Sequence, residues 1–214
     1  MLRGLVVFDL DGTLLRGSTV CEVLAAGLGR SAEMKRIEGY RSDEEIVAGR
    51  EEMALWYRGV VPLELQTYLA NATLAPGARE AIQSLRQAHV LTGIASYTWS
   101  FAVEWFAKQL EIPLFLGTRL SSDGVISHVW HSDKVTWLHH LTEQYGLSRG
   151  RTAAVGDTVS DVPMLEAVAL PFFVGSVVPK GAERFIHLPA ADLRVVANRI
   201  LGTWAVAPND GMSA

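Results

Sequence analysis

The stretch LVVFDLDGT, residues 5–13, opens with four consecutive apolar residues and ends in a polar turn that contains Asp9 and Asp11. A short run that is apolar at every position is typical of a strand buried on both faces, as in a parallel sheet. A second stretch, TAAVGDTVSD at residues 152–161, has the same arrangement, a short apolar run followed by Asp157 and Asp161. Both stretches predict buried strands that end in acidic turns.

Strand-like runs and helix-like segments alternate along most of the chain. Further strands are expected at residues 90–95, 114–120, 125–130, 170–174 and 185–187, and helices at residues 76–88, 99–110, 134–145, from Asp161 onward, and at 191–201. This alternation predicts an α/β fold with a doubly wound, Rossmann-like parallel sheet. In such a sheet, ligands bind beyond the carboxyl ends of the strands, where the aspartates are expected.

Residues 15–74, called the helical insert below, break this alternation. They contain no convincing strand, and helices are expected at residues 19–28, 44–57 and 63–70, joined by the charge-rich segment 32–45. We therefore expect an α/β core made of residues 1–14 and 75–201, with the helical insert forming a small cap after the first strand. Residues 202–214 are expected to form a C-terminal tail, frayed from Pro208 onward.

The composition excludes several classes of protein. Of the 214 residues, 49% are apolar and 20% are charged, which is typical of a globular chain. The net charge of −4 gives no basic surface for nucleic acid. The single cysteine, Cys21, cannot form an intramolecular disulfide, so a reducing cytoplasm is the simplest location. No apolar run is long enough for a signal core or a membrane helix, so no membrane is expected as partner. The net charge likewise predicts that nucleic acid is not a partner.

The acidic residues suggest a metal site. Asp9, Asp11, Asp157 and Asp161 are expected at one edge of the sheet, and we call this group the acidic edge. Four carboxylates so close together would repel one another unless a cation lay among them, and hard oxygen ligands suit Mg²⁺. Each turn alone is an ordinary turn sequence, but two doubled acidic turns after apolar strands favour a site.

The histidines form no competing metal site. His139 and His140 are adjacent on a predicted helix, so they point to different faces. All six histidines are expected to be structural or surface residues, with His128 the one nearest the mouth of the site.

The polar turns resemble motifs of the haloacid dehalogenase superfamily. Residues 9–13 are similar to its first motif and residues 156–161 to its fourth, while Ser96 and Lys134 stand where the second and third motifs have their polar residues. The resemblance spans residues 5–201. The position of the helical insert and the sequence of the fourth motif are most similar to the phosphoserine phosphatase branch.

This resemblance implies a Mg²⁺-dependent phosphatase. Asp9 would be the nucleophile that carries an aspartyl-phosphate, and Asp11 would protonate the leaving alkoxide and then activate water. A halide leaving group needs no proton, so Asp11 favours phosphate chemistry over dehalogenation. Ser96 and Lys134 would bind the phosphoryl oxygens, with Tyr97 beside them.

The same resemblance implies the metal ligands. The Asp9 carboxylate, the Asp11 backbone carbonyl and Asp157 would hold Mg²⁺, and Asp161 would bind through water or orient its neighbours.

The expected substrate is a small phosphorylated metabolite, phosphoserine-like or related. Ser18 stands where phosphoserine phosphatases have a glutamate for the substrate amino group, and Ser160 replaces an asparagine of the fourth motif. Bulky Tyr97 follows Ser96 where those enzymes have glycine, and is expected to narrow the pocket or rest on the substrate. Arg50 is either an arginine that binds a substrate carboxylate or a solvated helix charge.

Two other functions are compatible with these motifs. A phosphotransferase or phosphomutase would pass the phosphoryl group to an alcohol instead of water. A non-catalytic binding protein could share the fold, although the complete set of polar residues argues against it. Both a monomer and a homodimer are compatible with the sequence.

Overall fold

A computed structural model describes residues 2–206 of the chain. Seven strands form one sheet and two form a separate ribbon. In chain order they are β1 (Gly4–Phe8), β2 (Leu15–Arg16), β3 (Thr73–Leu74), β4 (Val90–Trp99), β5 (Leu114–Leu120), β6 (Ile126–Ser127), β7 (Thr152–Gly156), β8 (Leu170–Phe173) and β9 (Ile186–His187). The sheet has the order β6-β5-β4-β1-β7-β8-β9, and all neighbours are parallel except β5 and β6.

Helices occupy the connections between the strands. They are α1 (Val20–Gly27), α2 (Ser31–Ile37), α3 (Asp43–Trp56), α4 (Pro62–Leu69), α5 (Ala78–Gln87), α6 (Ser100–Leu110), α7 (His131–Gln144), α8 (Val162–Glu166) and α9 (Leu193–Val206). The first four lie in the helical insert. Together with the mostly parallel sheet, they confirm the predicted α/β fold with a helical segment inserted after the first strand.

Strand β1 lies at the centre of the sheet and fixes where polar residues can meet. Val6 pairs with Thr92 of β4 on one side and with Ala153 of β7 on the other. Because the three strands are parallel, the residues that follow them lie at the same edge. The predicted meeting of the two acidic turns therefore follows from this strand order.

The sheet is buried on both faces, as the uninterrupted apolar run in β1 predicts. Val6 and Phe8 belong to one hydrophobic cluster and Leu5 and Val7 to a second. The first cluster continues into the helical insert, where Leu24 and other apolar residues are buried. The insert therefore shares a continuous core with one face of the sheet.

The expectation that residues 15–74 contain no strand was wrong. β2 and β3 pair antiparallel at the two ends of the helical insert, with Leu15 opposite Leu74. A strand of two residues carries no periodic signal, so only the approach of the two chain segments defines it. The segment expected as a charge-rich connection also contains α2, whose apolar residues Met34 and Ile37 are buried.

Two helices of the insert begin with a capping box, a reciprocal pair of hydrogen bonds between side chains and backbone N–H groups. The side chain of Thr19 accepts a hydrogen bond from the Glu22 backbone N–H, and the Glu22 side chain accepts one from the Thr19 N–H. Ser42 and Glu45 form the same reciprocal pair before α3. Such pairs satisfy backbone donors that the helix itself leaves free.

The predicted tail was wrong for residues 202–206, because α9 continues to Val206. The physical reason is Trp204, which is 2% exposed and packs on Gly4 of β1. A Cβ at Gly4 would lie 2.6 Å from the Trp204 ring, so a glycine is needed at this contact. The predicted frayed segment from Pro208 onward lies outside the described residues.

Two predicted strands also have different limits. The strand expected at residues 125–130 is confined to Ile126–Ser127. β4 extends beyond Ala95 to Trp99, and its register with β5 shifts between these two residues. Such an irregularity changes the direction of side chains, and here it affects the segment that contains Ser96 and Tyr97.

Candidate active site

The carboxyl ends of β1 and β7 bring three aspartates together. Asp9 directly follows β1, and its backbone N–H donates to the Val155 carbonyl of β7 over 2.9 Å. One carboxylate oxygen from each of Asp9, Asp157 and Asp161 lies within 4.8 Å of the other two. The structure thus places the side chains of the two acidic turns side by side.

Lys134 reaches this cluster from the first turn of α7. Its side chain is 1% exposed, and its Nζ donates to Asp9 Oδ1 and Asp161 Oδ1, both over 2.8 Å. Burial favours the neutral amine, but the two carboxylates outweigh burial and raise the pKa of Lys134 above its usual range. The ammonium group therefore stays charged and joins the two acidic turns.

Asp161 is held on both of its oxygens. Its Oδ2 accepts hydrogen bonds from the backbone N–H groups of Asp157 and Thr158, both at 3.1 Å, and from the Thr158 hydroxyl at 3.2 Å. Its Oδ1 accepts from Lys134. These contacts fit the orienting role that the sequence predicted as one of two possibilities for Asp161.

The acidic cluster carries more negative charge than Lys134 can balance. Burial, followed by the charge of Asp161, raises the pKa of Asp9 well above its usual range, and Lys134 only partly opposes this. The same two causes raise the pKa of Asp157 to about 6, opposed by a hydrogen bond from Thr13. A divalent cation bound by oxygen ligands would supply the missing positive charge, so these residues fit Mg²⁺.

Asp11 faces the start of the helical insert. Its Oδ1 accepts a hydrogen bond from the Val20 backbone N–H at 2.7 Å, at the beginning of α1. Burial raises the pKa of Asp11 to about 7, although the Val20 hydrogen bond opposes the shift. This carboxyl group can therefore hold or release a proton near neutral pH.

The turn that follows Asp11 and leads into β2 depends on Gly12. Its φ of +84° lies in the left-handed region, and a Cβ there would lie 2.0 Å from Asp157 Oδ2. The next residue, Thr13, donates its hydroxyl to Asp157 Oδ1 at 3.0 Å. Gly12 allows the Asp157 carboxylate to approach the turn, and Thr13 orients it.

Ser96 and Tyr97 lie at the irregular end of β4. Ser96 is 2% exposed, and its Oγ accepts from the Thr98 backbone N–H at 3.3 Å. The Tyr97 ring lies 4.2 Å from Lys134 Nζ, and its hydroxyl donates to the Ser160 carbonyl at 2.8 Å. The structure therefore brings Tyr97 to the lysine, while phosphate binding by Ser96, Tyr97 and Lys134 stays a prediction.

Arg50 of the helical insert contacts the end of β4 and the segment that follows β6. It is 7% exposed, so the alternative of a solvated helix charge was wrong. Its guanidinium donates to the carbonyls of Tyr97 at 3.0 Å and Val129 at 3.4 Å, contacts His128 Nδ1 at 3.0 Å, and lies 5.0 Å from the Trp130 ring centre. No carboxylate pairs with it among residues 2–206.

The two predicted substrate serines lie in different surroundings. Ser18 is exposed, at the entry to α1. Ser160 is half-buried, and its Oγ lies 2.6 Å from the Thr158 hydroxyl. Their predicted contact with a substrate stays a prediction.

The sequence did not identify the residues that support the site, except that His128 was expected near its mouth. Thr13 and Thr158 orient the aspartates, and His128 and Trp130 contact Arg50. The two threonines stand inside the recognised motifs and could have been found there. No spacing rule connects the hairpin to Arg50, because this contact exists only in the folded chain.

Comparison with known proteins gives matches in sequence and in fold. The sequence model of the haloacid dehalogenase-like hydrolases matches residues 6–166. Phosphoserine phosphatase SerB2 of Mycobacterium tuberculosis is 27% identical over 78% of this chain and 43% of its own length. A phosphoserine phosphatase of Idiomarina loihiensis is 26% identical over 78% of this chain and 80% of its own length.

A solved structure described as a phospho-aspartyl intermediate analogue of phosphoserine phosphatase has the same fold. It superposes with a TM-score of 0.75 at 20% identity, over 93% of this chain and 99% of the other. The chain spans less than half the length of the Mycobacterium tuberculosis relative.

The chain belongs to the haloacid dehalogenase-like hydrolase family. Within that family it is similar to the phosphoserine phosphatases, which confirms the predicted branch. Within residues 2–206, no helix combines the length and the apolar character needed to cross a bilayer.

Proposed function

We propose that this chain hydrolyses small phosphate monoesters with the help of Mg²⁺, through an aspartyl-phosphate formed on Asp9. The observation that carries the proposal is the bridge from Lys134 to Asp9 and Asp161, with Asp157 beside it. A buried lysine with two carboxylates forms an anion-binding centre only when a further cation balances the charge. The relatives named as phosphoserine phosphatases support the same chemistry.

The metal would be held by Asp9 and Asp157, with the Asp11 backbone carbonyl and Asp161 completing or orienting the site. When bound, Mg²⁺ would neutralise charge on the phosphoryl oxygens and lower the electrostatic barrier to attack by a carboxylate. The three aspartate oxygens within 4.8 Å of one another support this assignment.

Asp9 would attack phosphorus and carry the covalent intermediate, which divides one difficult displacement into two easier ones. Lys134 orients its carboxylate through the 2.8 Å hydrogen bond. The Ser96 hydroxyl and the Lys134 ammonium would bind phosphoryl oxygens, with Tyr97 beside them. In phosphoryl transfer, positioning and charge stabilisation provide most of the catalysis.

Asp11 would act as the general acid and base. With a pKa of about 7, its carboxyl group can protonate the leaving alkoxide and afterwards take a proton from water. The Asp11 carboxylate accepts a hydrogen bond from the Val20 N–H at the start of the first helix of the insert. The orientation of this carboxyl group would therefore depend on the position of the insert.

The substrate would be a small phosphorylated metabolite with its own anionic group. Arg50 supports this, because within residues 2–206 its buried positive charge contacts neutral acceptors and an aromatic ring but no carboxylate. A substrate carboxylate near Arg50 would supply the missing charge. Ser18 and Ser160 would contribute polar contacts at the mouth, and phosphoserine is one member of this class.

The helical insert would act as a cap that limits substrate size and excludes water. We propose the division into a core of residues 1–14 and 75–201 and a cap of residues 15–74, with the core helix α9 extended to Val206. We also propose a cytoplasmic location, on the basis of the single cysteine.

The test is phosphate release from p-nitrophenyl phosphate and from a panel of phosphorylated amino acids, hydroxy acids, sugars and nucleotides. We expect release with Mg²⁺, loss of release with EDTA, and preference for a phosphorylated carboxylic acid. No release from any compound would refute the proposal. Transfer of phosphate to an added alcohol in preference to water would instead identify a phosphotransferase.

A further inference from the structure

The ammonium group of Lys134 has three N–H donors, and two of them are used by carboxylates of the protein. Two donate to Asp9 Oδ1 and Asp161 Oδ1 over 2.8 Å. The nitrogen also lies 4.2 Å from the centre of the Tyr97 ring, within the range over which an aromatic face attracts a cation. The ring therefore covers a side of the ammonium group that neither carboxylate holds.

Tyr97 is itself fixed at both ends. Its hydroxyl donates to the Ser160 carbonyl at 2.8 Å and lies 3.2 Å from His131 Nδ1. Its backbone carbonyl accepts from the Thr118 hydroxyl at 2.8 Å and from Arg50 at 3.0 Å. The ring cannot leave Lys134 without breaking some of these contacts.

We propose that Tyr97 is a positioning residue, an inference that rests on the proposed phosphatase function. Its ring keeps the Lys134 ammonium on Asp9 and Asp161 and keeps water away from it. Its hydroxyl attaches the loop that contains Ser160 to the end of β4. Tyr97 acts through Lys134 and does not itself touch the reacting atoms.

Because Tyr97 acts on Lys134, loss of its ring should change the rate of the chemical step. Lys134 orients the Asp9 carboxylate, and a small displacement of a reacting group can cost a large part of the rate. A tyrosine that only lined the pocket would instead change substrate binding. The two roles therefore differ in whether kcat or KM responds to loss of the ring.

Two substitutions separate the ring from the hydroxyl. With p-nitrophenyl phosphate and Mg²⁺, Tyr97→Leu should lower kcat roughly 10- to 100-fold, and Tyr97→Phe about three- to fivefold, with KM within about threefold in both. Tyr145→Leu, which removes a half-buried tyrosine at the end of α7, should leave kcat unchanged. A tenfold rise in KM at unchanged kcat, or equal losses in Tyr97→Leu and Tyr97→Phe, would overturn the proposal.

A second measurement does not depend on turnover. In NMR spectra that detect lysine ammonium groups, the hydrogens of the Lys134 ammonium group, whose side chain is 1% exposed, should exchange slowly with water, and Lys108, 72% exposed, is the rapidly exchanging reference. We expect this exchange at Lys134 to become at least about tenfold faster in Tyr97→Leu and to stay close to wild type in Tyr97→Phe. An unchanged exchange rate in a folded Tyr97→Leu protein would overturn the role of the ring.

The two measurements also separate this inference from the proposed function. A wild-type protein that releases no phosphate, yet has the expected slow exchange at Lys134, would refute only the phosphatase proposal. An active wild-type protein whose Tyr97→Leu variant keeps both its kcat and its Lys134 protection would refute only the role of Tyr97.

Discussion

A buried positive charge has different partners at the acidic edge of the sheet and in the helical insert. At the acidic edge, Lys134 is paired with two carboxylates at 2.8 Å. In the insert, Arg50 is almost as deeply buried but contacts backbone carbonyls, a histidine and a tryptophan. The buried cation of the acidic edge is thus paired within the protein, whereas no carboxylate among residues 2–206 pairs with Arg50.

This difference separates chemistry from recognition. Groups that are fixed by mutual ion pairs suit a reaction that is the same for every substrate. A buried cation without a carboxylate partner suits the part of the substrate that varies, because an incoming anion gains a charge-assisted hydrogen bond there. Three substitutions and one change of conditions test this difference.

The largest expected effect is the loss of Asp9. Asp9→Asn keeps the shape of the side chain but removes the nucleophilic charge, so phosphate release should fall roughly 10⁴- to 10⁶-fold. Thermal unfolding followed by circular dichroism should still give one cooperative transition. Activity within tenfold of wild type would contradict the assignment of the nucleophile.

Removal of Lys134 tests the acidic edge as a structural unit. Lys134→Met leaves Asp9 and Asp161 buried without their counter-charge, which should lower the free energy of unfolding by about 3–5 kcal/mol in metal-free buffer. Urea unfolding measures this change. Lys108→Met is the matched control, since Lys108 pairs with Glu104 at the surface and should change stability little. Equal small losses in both variants would mean that the buried pairs are dispensable.

Removal of Arg50 tests the insert as the recognition element. Arg50→Met should raise KM for a phosphorylated carboxylic acid roughly 10- to 100-fold and change KM for p-nitrophenyl phosphate much less. Arg36→Met is the control, since Arg36 is exposed and pairs with Glu52 in the same insert. If Arg50→Met affects both substrates equally, Arg50 holds the insert on the core and does not bind the substrate.

The smallest expected effect is a pH-dependent gain in stability from Mg²⁺. Burial raises the pKa of Asp157 to about 6 and of Asp11 to about 7, above an unfolded value of about 3.9. Without metal, the two carboxyl groups contribute to the stability of the fold when the pH is below the pKa that they have in the unfolded chain. This contribution is lost as the pH rises through the higher pKa that they have in the folded chain. A cation on ionised carboxylates offsets this loss.

Saturating Mg²⁺ should therefore raise the Tm by roughly 5–10 °C at pH 8 and by clearly less at pH 5. Differential scanning fluorimetry with and without EDTA measures the gain. The gain at pH 8 should disappear in Asp157→Asn. The same gain at both pH values would argue against metal binding by these carboxylates.

Local sequence was sufficient to predict the class of fold and the meeting of Asp9, Asp157 and Asp161, but not that the Asp11 carboxylate would face Val20. An apolar run on both faces of a strand requires a buried parallel sheet, and parallel strands place the residues that follow them at one edge. Asp9 and Asp157 could therefore be brought together from their positions after two strands. The two-residue strands β2 and β3 could not be predicted, because their pairing depends on where the ends of the insert meet.

The surroundings of the site were harder to predict for the same reason. Arg50 could be a surface charge or a recognition residue on its sequence alone, because helical position does not tell which face is buried when polar residues occur on all sides. The same holds for Trp204, which has no sequence signal for its contact with Gly4.

Local patterns of apolar and acidic residues in the sequence predicted the class of fold and the meeting of Asp9, Asp157 and Asp161. The family followed from the resemblance of its motifs. Only the folded chain shows that Lys134 bridges Asp9 and Asp161, that the Tyr97 ring lies beside Lys134, and that Arg50 is buried against His128. These contacts join residues that are far apart in the chain. Their geometry is set by the packing of whole elements, which no short stretch of sequence encodes.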